Sequence, residues 1–282
     1  MSKDVVVGMG QLLVEGGEPG RNLKRAELMI EEAAHKGSHL VILPETLDLG
    51  WTHPSAFHEA ESVPGPHSDR LCEAARKFRI FISAGLTEKK DSQIYNTALL
   101  IDDEGEILLK YHKINLLTVE QPFYSVGQTL SVVDTKFGRI GVNICADNYL
   151  DGLPLGHALA RMGAQLILSP SSWTVDYAVD ETKDPYGEKW VKPYTILARL
   201  YNLVIIGATS VGYIVGGPYE GKKMVGCSLA VGPEGVLARG TFNEFAGELV
   251  TVTITLPERK EKGTAIGEML KQKGYRFDAV FS

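Results

Sequence analysis

Cysteine is scarce in this chain: three in 282 residues, Cys72, Cys145 and Cys227, with no CxxC arrangement among them. An odd count so spaced excludes a disulfide framework or a four-thiolate metal site and fits a reducing compartment. Basic clusters are also missing. The formal net charge is −6, and the densest cationic stretch, Arg259 to Lys262, is interleaved with Glu258 and Glu261, so neither nucleic acid nor an anionic membrane surface is an expected partner. No long apolar run survives inspection. LVIIGATSVGYIVGGP, from Leu203, is broken by Thr209, Ser210 and glycines, and reads as a core strand followed by a loop rather than a bilayer span. MSKDVVVGMGQL carries Asp4 ahead of a very short apolar run, unlike a secretory signal, and a soluble cytoplasmic protein is expected. Gly8, Gly10 and the glycines from Gly212 to Gly221 match no dinucleotide or phosphate-loop fingerprint. His53 and His58 are five apart, which is not a zinc-binding spacing on a helix. No metal and no cofactor are expected.

What is present is ordinary globular composition, 44% hydrophobic and 23% charged, with strand and helix signals in alternation. Leu23, Ala26, Met29, Ile30, Ala33 and Ala34 fall on one face of a 3.6-residue repeat, with Asn22 as expected N-cap and Gly37 as terminator. HLVIL follows, a continuous apolar run ended by Pro44, as expected of a strand buried on both faces. A second unit has Ser68 as expected cap, a helix carrying Leu71, Ala75 and Phe78, and then IFISAGL. YNTALLID with EILLKYHK, LSVVDT with RIGVNIC, and CSLAVGPEGVLARG read as hairpins with glycine in the turn. Helices are expected near Gly156 to Met162 and Lys189 to Tyr201, and strands at Gln165 to Ser169, Leu203 to Ala208 and in ELVTVTITL. With no linker and no evident internal repeat, this predicts a single α/β domain over 1–257, built from mixed sheets with helices outside. A charged, weakly amphipathic tail, 258–282, is expected to dock at a subunit interface.

Three of the strand-like segments end on a chemically costly residue. Glu45 closes VILPE, Lys113 closes LLKYHK, and Cys145 follows IGVNI. A buried thiol usually behaves as a small hydrophobe, and that reading suits Cys72 and Cys227. Cys145 instead precedes Ala146-Asp147-Asn148, which has turn rather than strand character. A carboxylate directly after a buried strand is expensive unless paired or used. Strand alternation puts Lys113 on the face of Tyr111 and His112 on the other, which argues against a Cys–His pair. A carboxylate, an ammonium and a thiol at strand ends are the parts of acyl transfer through a thioester.

In this order, Pro44-Glu45-Thr46, His112-Lys113 and the segment Gly141 to Asp147 resemble the glutamate, lysine and cysteine boxes of the nitrilase superfamily of carbon-nitrogen hydrolases. The likeness extends over nearly the whole chain. It implies a four-layer α-β-β-α sandwich of two mixed sheets and a homodimer or larger homo-oligomer. It also implies Cys145 as nucleophile, Glu45 as general base and acid, Lys113 as the cation for the tetrahedral intermediate, and Glu120, seven residues after Lys113, as a second glutamate. The backbone amide of Ala146 is the expected companion oxyanion donor. Expected substrate-binding residues are Trp51, Ala146, Asn148, Tyr149, Ser171 and Trp173.

The expected reaction is hydrolysis of a small linear amide or carbamoyl compound, with a small-molecule substrate and water as partners. Nitrile hydrolysis by the same residues, acyl transfer to an amine and a non-catalytic interaction protein are the alternatives. Because Asn148 and Tyr149 stand where many relatives place an arginine, a substrate without a carboxylate near the scissile bond is expected.

Overall fold

A computed structural model describes residues 4–179, 183, 185–258 and 272–274. The chain runs β1 (Asp4–Gln11), α1 (Pro19–His35), β2 (Leu40–Ile42), α2 (Ala56–Glu59), α3 (Pro66–Phe78), β3 (Phe81–Lys90), β4 (Gln93–Ile101), β5 (Ile107–His112), β6 (Val132–Asp134) and β7 (Arg139–Val142). It continues through α4 (Leu153–Arg161), β8 (Leu166–Ser171), β9 (Thr174–Val175), α5 (Glu188–Tyr201), β10 (Val204–Thr209), β11 (Val211–Tyr213), β12 (Lys223–Val225), β13 (Leu229–Gly232), β14 (Gly235–Arg239) and β15 (Glu248–Thr255).

Two mixed six-stranded sheets result, ordered β15-β1-β2-β3-β4-β5 and β14-β13-β10-β8-β7-β6, with a small third sheet β11-β12-β9. Each large sheet has three parallel strands at its centre, β1-β2-β3 and β10-β8-β7, with antiparallel strands on either side. This structural repetition is absent from the sequence.

Strand β2 shows why its segment is apolar throughout. Leu40 and Ile42 pack into the layer between the sheets, while Val41 and Leu43 pack with Leu23, Ala26 and Ile30 of α1 and Leu71 of α3. The helix α5 covers the outer face of the other sheet, burying Trp190, Tyr194 and Leu197 in the larger core. The fold class is the expected α/β sandwich of two mixed sheets flanked by helices.

Local expectations differ from the structure in four places. Asn22 does not cap α1. Pro19 opens that helix, and Asn22 is buried within it, donating to the carbonyls of Glu15 and Asp48. Ser68 sits at the third position of α3, exchanging hydrogen bonds with the backbone of Gly65, which is the N-cap. Strand β1 went unread because its short apolar run carries no alternation, and it acquires its identity from pairing with β15 on one side and β2 on the other. The small sheet was likewise unread, its strands being two or three residues long.

The apolar tail residues Ile266, Met269, Leu270, Tyr275, Phe277, Val280 and Phe281 lie outside the described residues. Lys273 is described, and its ammonium donates to the carbonyls of Arg199 and Leu200 at the end of α5. Among the described residues no helix is long and apolar enough to cross a membrane.

Candidate active site

Glu45, Lys113 and Cys145 come from three different strand ends and meet between the two large sheets. Glu45 stands three residues past β2, Lys113 directly after β5, and Cys145 three residues past β7. The Glu45 loop passes so close to β3 that a Cβ on Gly85 would lie 2.5 Å from the Glu45 Cα. Only glycine permits that approach. Cys145 adopts a left-handed backbone (φ 50°) and begins a 3₁₀ turn, Cys145–Asn148. A non-glycine residue held in that region is strained and persists because its surroundings fix it. Here the Cys145 amide donates to Ser169 Oγ at 3.1 Å. Asp147 ties the same turn to the lysine segment, accepting from the Ile144 amide, the Tyr111 hydroxyl and the Asn115 amide.

The charges are fully buried. Lys113 Nζ donates to Glu45 Oε1 and to Glu120 Oε1, both at 2.7 Å, with all three side chains closed to solvent. Asn96 Nδ2 donates to the same two oxygens, at 2.6 and 3.3 Å. Trp51 Nε1 completes the set on Glu120 at 2.8 Å, and the Leu117 amide donates to Glu120 Oε2. Glu45 Oε2, in contrast, is buried with no hydrogen-bond partner among the described residues.

Burial dominates the titration of the cluster. It raises the Glu45 carboxyl above its ordinary value against the pull of Lys113, because one ammonium is divided between two carboxylates. Burial opposes the Lys113 cation, but Glu120, Glu45 and Cys145 together hold its pKa well above normal. Burial and the charge of Glu45 push the Cys145 thiol well up, while Lys113 and the Ser172 amide favour its thiolate. The resting site therefore holds a thiol, a lysine cation and a carboxyl group of raised proton affinity.

A cavity of about 330 Å³ reaches Cys145, which is 7% exposed. Its walls are aromatic: Trp173 and Trp190 stack at 4.6 Å between ring centroids, and Tyr149 stacks on Trp190 at 5.0 Å. Trp51, Tyr149 and Trp173, expected at the substrate, line this cavity. Ala146 lines a neighbouring cavity of about 440 Å³ that shares Leu117 and Tyr149 with the first.

Two expected substrate residues, Asn148 and Ser171, are not among those lining this cavity. Asn148 is buried and exchanges hydrogen bonds with Asn143 while donating to Ser169 Oγ, so it closes the cysteine turn. Ser171 is the last residue of β8, its hydroxyl donating to the Ser169 carbonyl and its own carbonyl accepting from the Glu45 amide. Its neighbour Ser172 lines the cavity instead and donates to the Glu45 carbonyl at 3.3 Å.

Sequence reasoning missed Asn96, for which the buried amide in the apolar alternation of YNTALLID was an available signal.

The carbon-nitrogen hydrolase family model matches residues 6–262. A nitrilase from Pyrococcus abyssi (strain GE5 / Orsay) is 34% identical over 166 residues, 57% of this chain and 62% of that protein. An omega-amidase from Xenopus tropicalis is 30% identical over 164 residues, 55% of this chain and 59% of that protein. The chain thus spans about three fifths of the length of these curated relatives. Among solved structures, a carbon-nitrogen hydrolase from Helicobacter pylori G27 is similar with a TM-score of 0.81 at 20% identity, covering 98% of this chain and 97% of that one. An amidase from Nesterenkonia sp. gives 0.74 at 22% identity, over 89% and 90%. These two likenesses concern the fold.

Proposed function

The chain belongs to the carbon-nitrogen hydrolase family, and we propose that it cleaves the non-peptide C–N bond of a small linear amide or carbamoyl compound through a thioester on Cys145. The observation that carries this reading is the buried group of one ammonium and two carboxylates beside a thiol that opens onto a cavity. Removing such charges from water costs several kcal/mol per ion, and the pairing is poor as a device for stability alone. Perturbed ionisable groups gathered at a cleft are the expected signature of chemistry.

In the proposed reaction the Cys145 sulfur attacks the amide carbonyl carbon while its proton passes to Glu45, whose Oε2 is engaged by no donor among the described residues. The raised proton affinity of Glu45 suits a group that takes a proton and returns it. The oxyanion forms beside Lys113 Nζ and the Ala146 amide. Collapse breaks the C–N bond, and Glu45 gives its proton to the departing nitrogen. Glu45 then deprotonates the water that attacks the thioester carbonyl, releasing the acid and regenerating the thiol. Glu120 holds the ammonium in place and is fixed in turn by Trp51, Asn96 and the Leu117 amide.

Further parts of the reading are a single domain over 1–257, supported by the span of the family match, and a reducing, cytoplasmic setting, supported by three free thiols. A homodimer with the 258–282 segment at its contact is supported by that segment's apolar content.

The test is ammonia release over simple amides, ureido compounds and nitriles, with Cys145→Ala, Glu45→Gln and Lys113→Met as controls. Turnover of amides that each substitution abolishes supports the proposal. Preferential turnover of nitriles moves the reading to nitrile hydrolysis, the activity named for the Pyrococcus relative. A wild-type protein inert to all three classes, in which a haloacetamide labels Cys145 no faster than Cys72 or Cys227, would favour an interaction protein.

A further inference from the structure

We propose that Asn96 is a positioning residue for the reaction: its amide clamps Glu45 by one carboxylate oxygen and leaves the other to take and return the Cys145 proton. The inference rests on the reading of Glu45 as the carrier of that proton and names the side chain that holds it in place.

Asparagine suits a strand interior poorly, yet Asn96 lies within β4 and is wholly buried. Sheet register explains its place. Thr97 pairs with His112, and the Lys113 amide donates to the Asn96 carbonyl at 2.9 Å, so Asn96 and Lys113 are cross-strand neighbours. Both side chains reach the same two acceptors, Glu45 Oε1 and Glu120 Oε1. The ammonium lies 2.7 Å from each, and the amide nitrogen 2.6 and 3.3 Å from them. The amide fits only one way round, because turning it over would set its oxygen against two carboxylate oxygens. In this orientation Asn96 Oδ1 is buried without a hydrogen-bond partner among the described residues. An acceptor left unmade in the interior is destabilising. Packing alone would be served better by an apolar side chain, so the amide is there for the carboxylates.

The clamp has a chemical consequence. Glu45 has to be ionised before it can accept the thiol proton. Burial raises its pKa, Lys113 lowers it, Glu120 raises it again, and the hydrogen bonds from Lys113 and Asn96 lower it. The remaining ionisable groups that feel its charge are Cys145, Tyr124 and Tyr149, and burial keeps both tyrosines protonated. Without the amide, Oε1 keeps one donor in place of two, and the carboxyl is free to turn either oxygen toward the ammonium. Losing a donor to the charged form raises a carboxyl pKa. The proton then stays on Glu45 to higher pH, and activation of the thiol is delayed in the same direction.

The test compares full-length wild-type protein with Asn96→Leu, which keeps the volume and has no donor, and with the smaller Asn96→Ala, which serves if leucine prevents folding. Two pH profiles are measured: ammonia release from the best amide, and alkylation of Cys145 by iodoacetamide, followed by peptide mass. In both variants the acid limb of each profile is expected to move to higher pH by about one unit, roughly tenfold in rate on that limb, the scale of one hydrogen bond to a charged group. KM and the high-pH plateau are expected to stay as in wild type. In a Glu45→Gln background, adding Asn96→Leu is expected to displace the alkylation profile no further. An acid limb that stays in place, a loss equal at every pH, or a displacement that persists in the Glu45→Gln background overturns the inference. Alkylation needs no turnover, so an absence of ammonia release counts against the hydrolytic reading while the alkylation profile still decides the role of Asn96.

Discussion

Replacing Lys113 by methionine is the sharpest test of how the buried charges work. The side chain stays long and apolar, but the ammonium that donates at 2.7 Å to both Glu45 and Glu120 is gone. Two consequences have different sizes and different readouts. Loss of one oxyanion donor raises a barrier by about 2.7–4 kcal/mol, a fall of about 10²–10³ in kcat. Loss of the cation from a buried pair costs about 3–5 kcal/mol of stability, because an uncompensated charge remains. A domain with about 5–15 kcal/mol in hand survives that loss folded. The stability deficit is expected to shrink as pH falls, since one of the two carboxylates then takes up a proton and donates it to the other. The assay pairs kcat on the best amide with urea unfolding at several pH values. A variant within tenfold of wild-type kcat would refute the oxyanion role, and a deficit independent of pH would refute the charge account.

The parts legible in the sequence were those whose local surroundings contradict their chemistry. Glu45 and Lys113 ended apolar runs where a charge costs most, and Cys145 stood where a strand pattern gave way to a turn. Glu120 could be named only through the resemblance, because nothing in the loop LTVEQP marks a glutamate as buried, and its partners Trp51 and Asn96 arrive from elsewhere in the chain. Asn148 lies away from the cavity lining for a related reason. Adjacency to the nucleophile in sequence says little about direction, and its side chain is drawn away by Asn143 and Ser169. The β2 strand was read correctly because both its faces are buried, whereas β1 lacked a local signature and depends on its two neighbours.

Two further outcomes are expected. Burial works against a charged His67, yet its hydrogen bond to Asp48 at 3.0 Å and that carboxylate's charge raise its pKa above the ordinary value. Its contribution is therefore full below the unfolded histidine value of about 6.5 and lost as pH rises through the folded one; His67→Gln should flatten that part of the stability profile, and an unchanged slope in urea unfolding would count against the pairing. The second outcome concerns Glu45→Gln, which should inactivate the protein while stabilising it. Burial raises the Glu45 pKa in the folded state, so folding with Glu45 ionised is disfavoured at neutral pH, and the penalty disappears only below the unfolded carboxyl value of about 4.3. Glutamine keeps an oxygen for Lys113 and Asn96 and leaves that lysine with one carboxylate, Glu120, in a cluster of zero net charge. Sites arranged for chemistry commonly give up stability in this way. Unfolding measured at pH 7 should show a gain for Glu45→Gln that narrows toward acid pH, and a loss at pH 7 would mean that the Glu45–Lys113 pair contributes more than its desolvation costs.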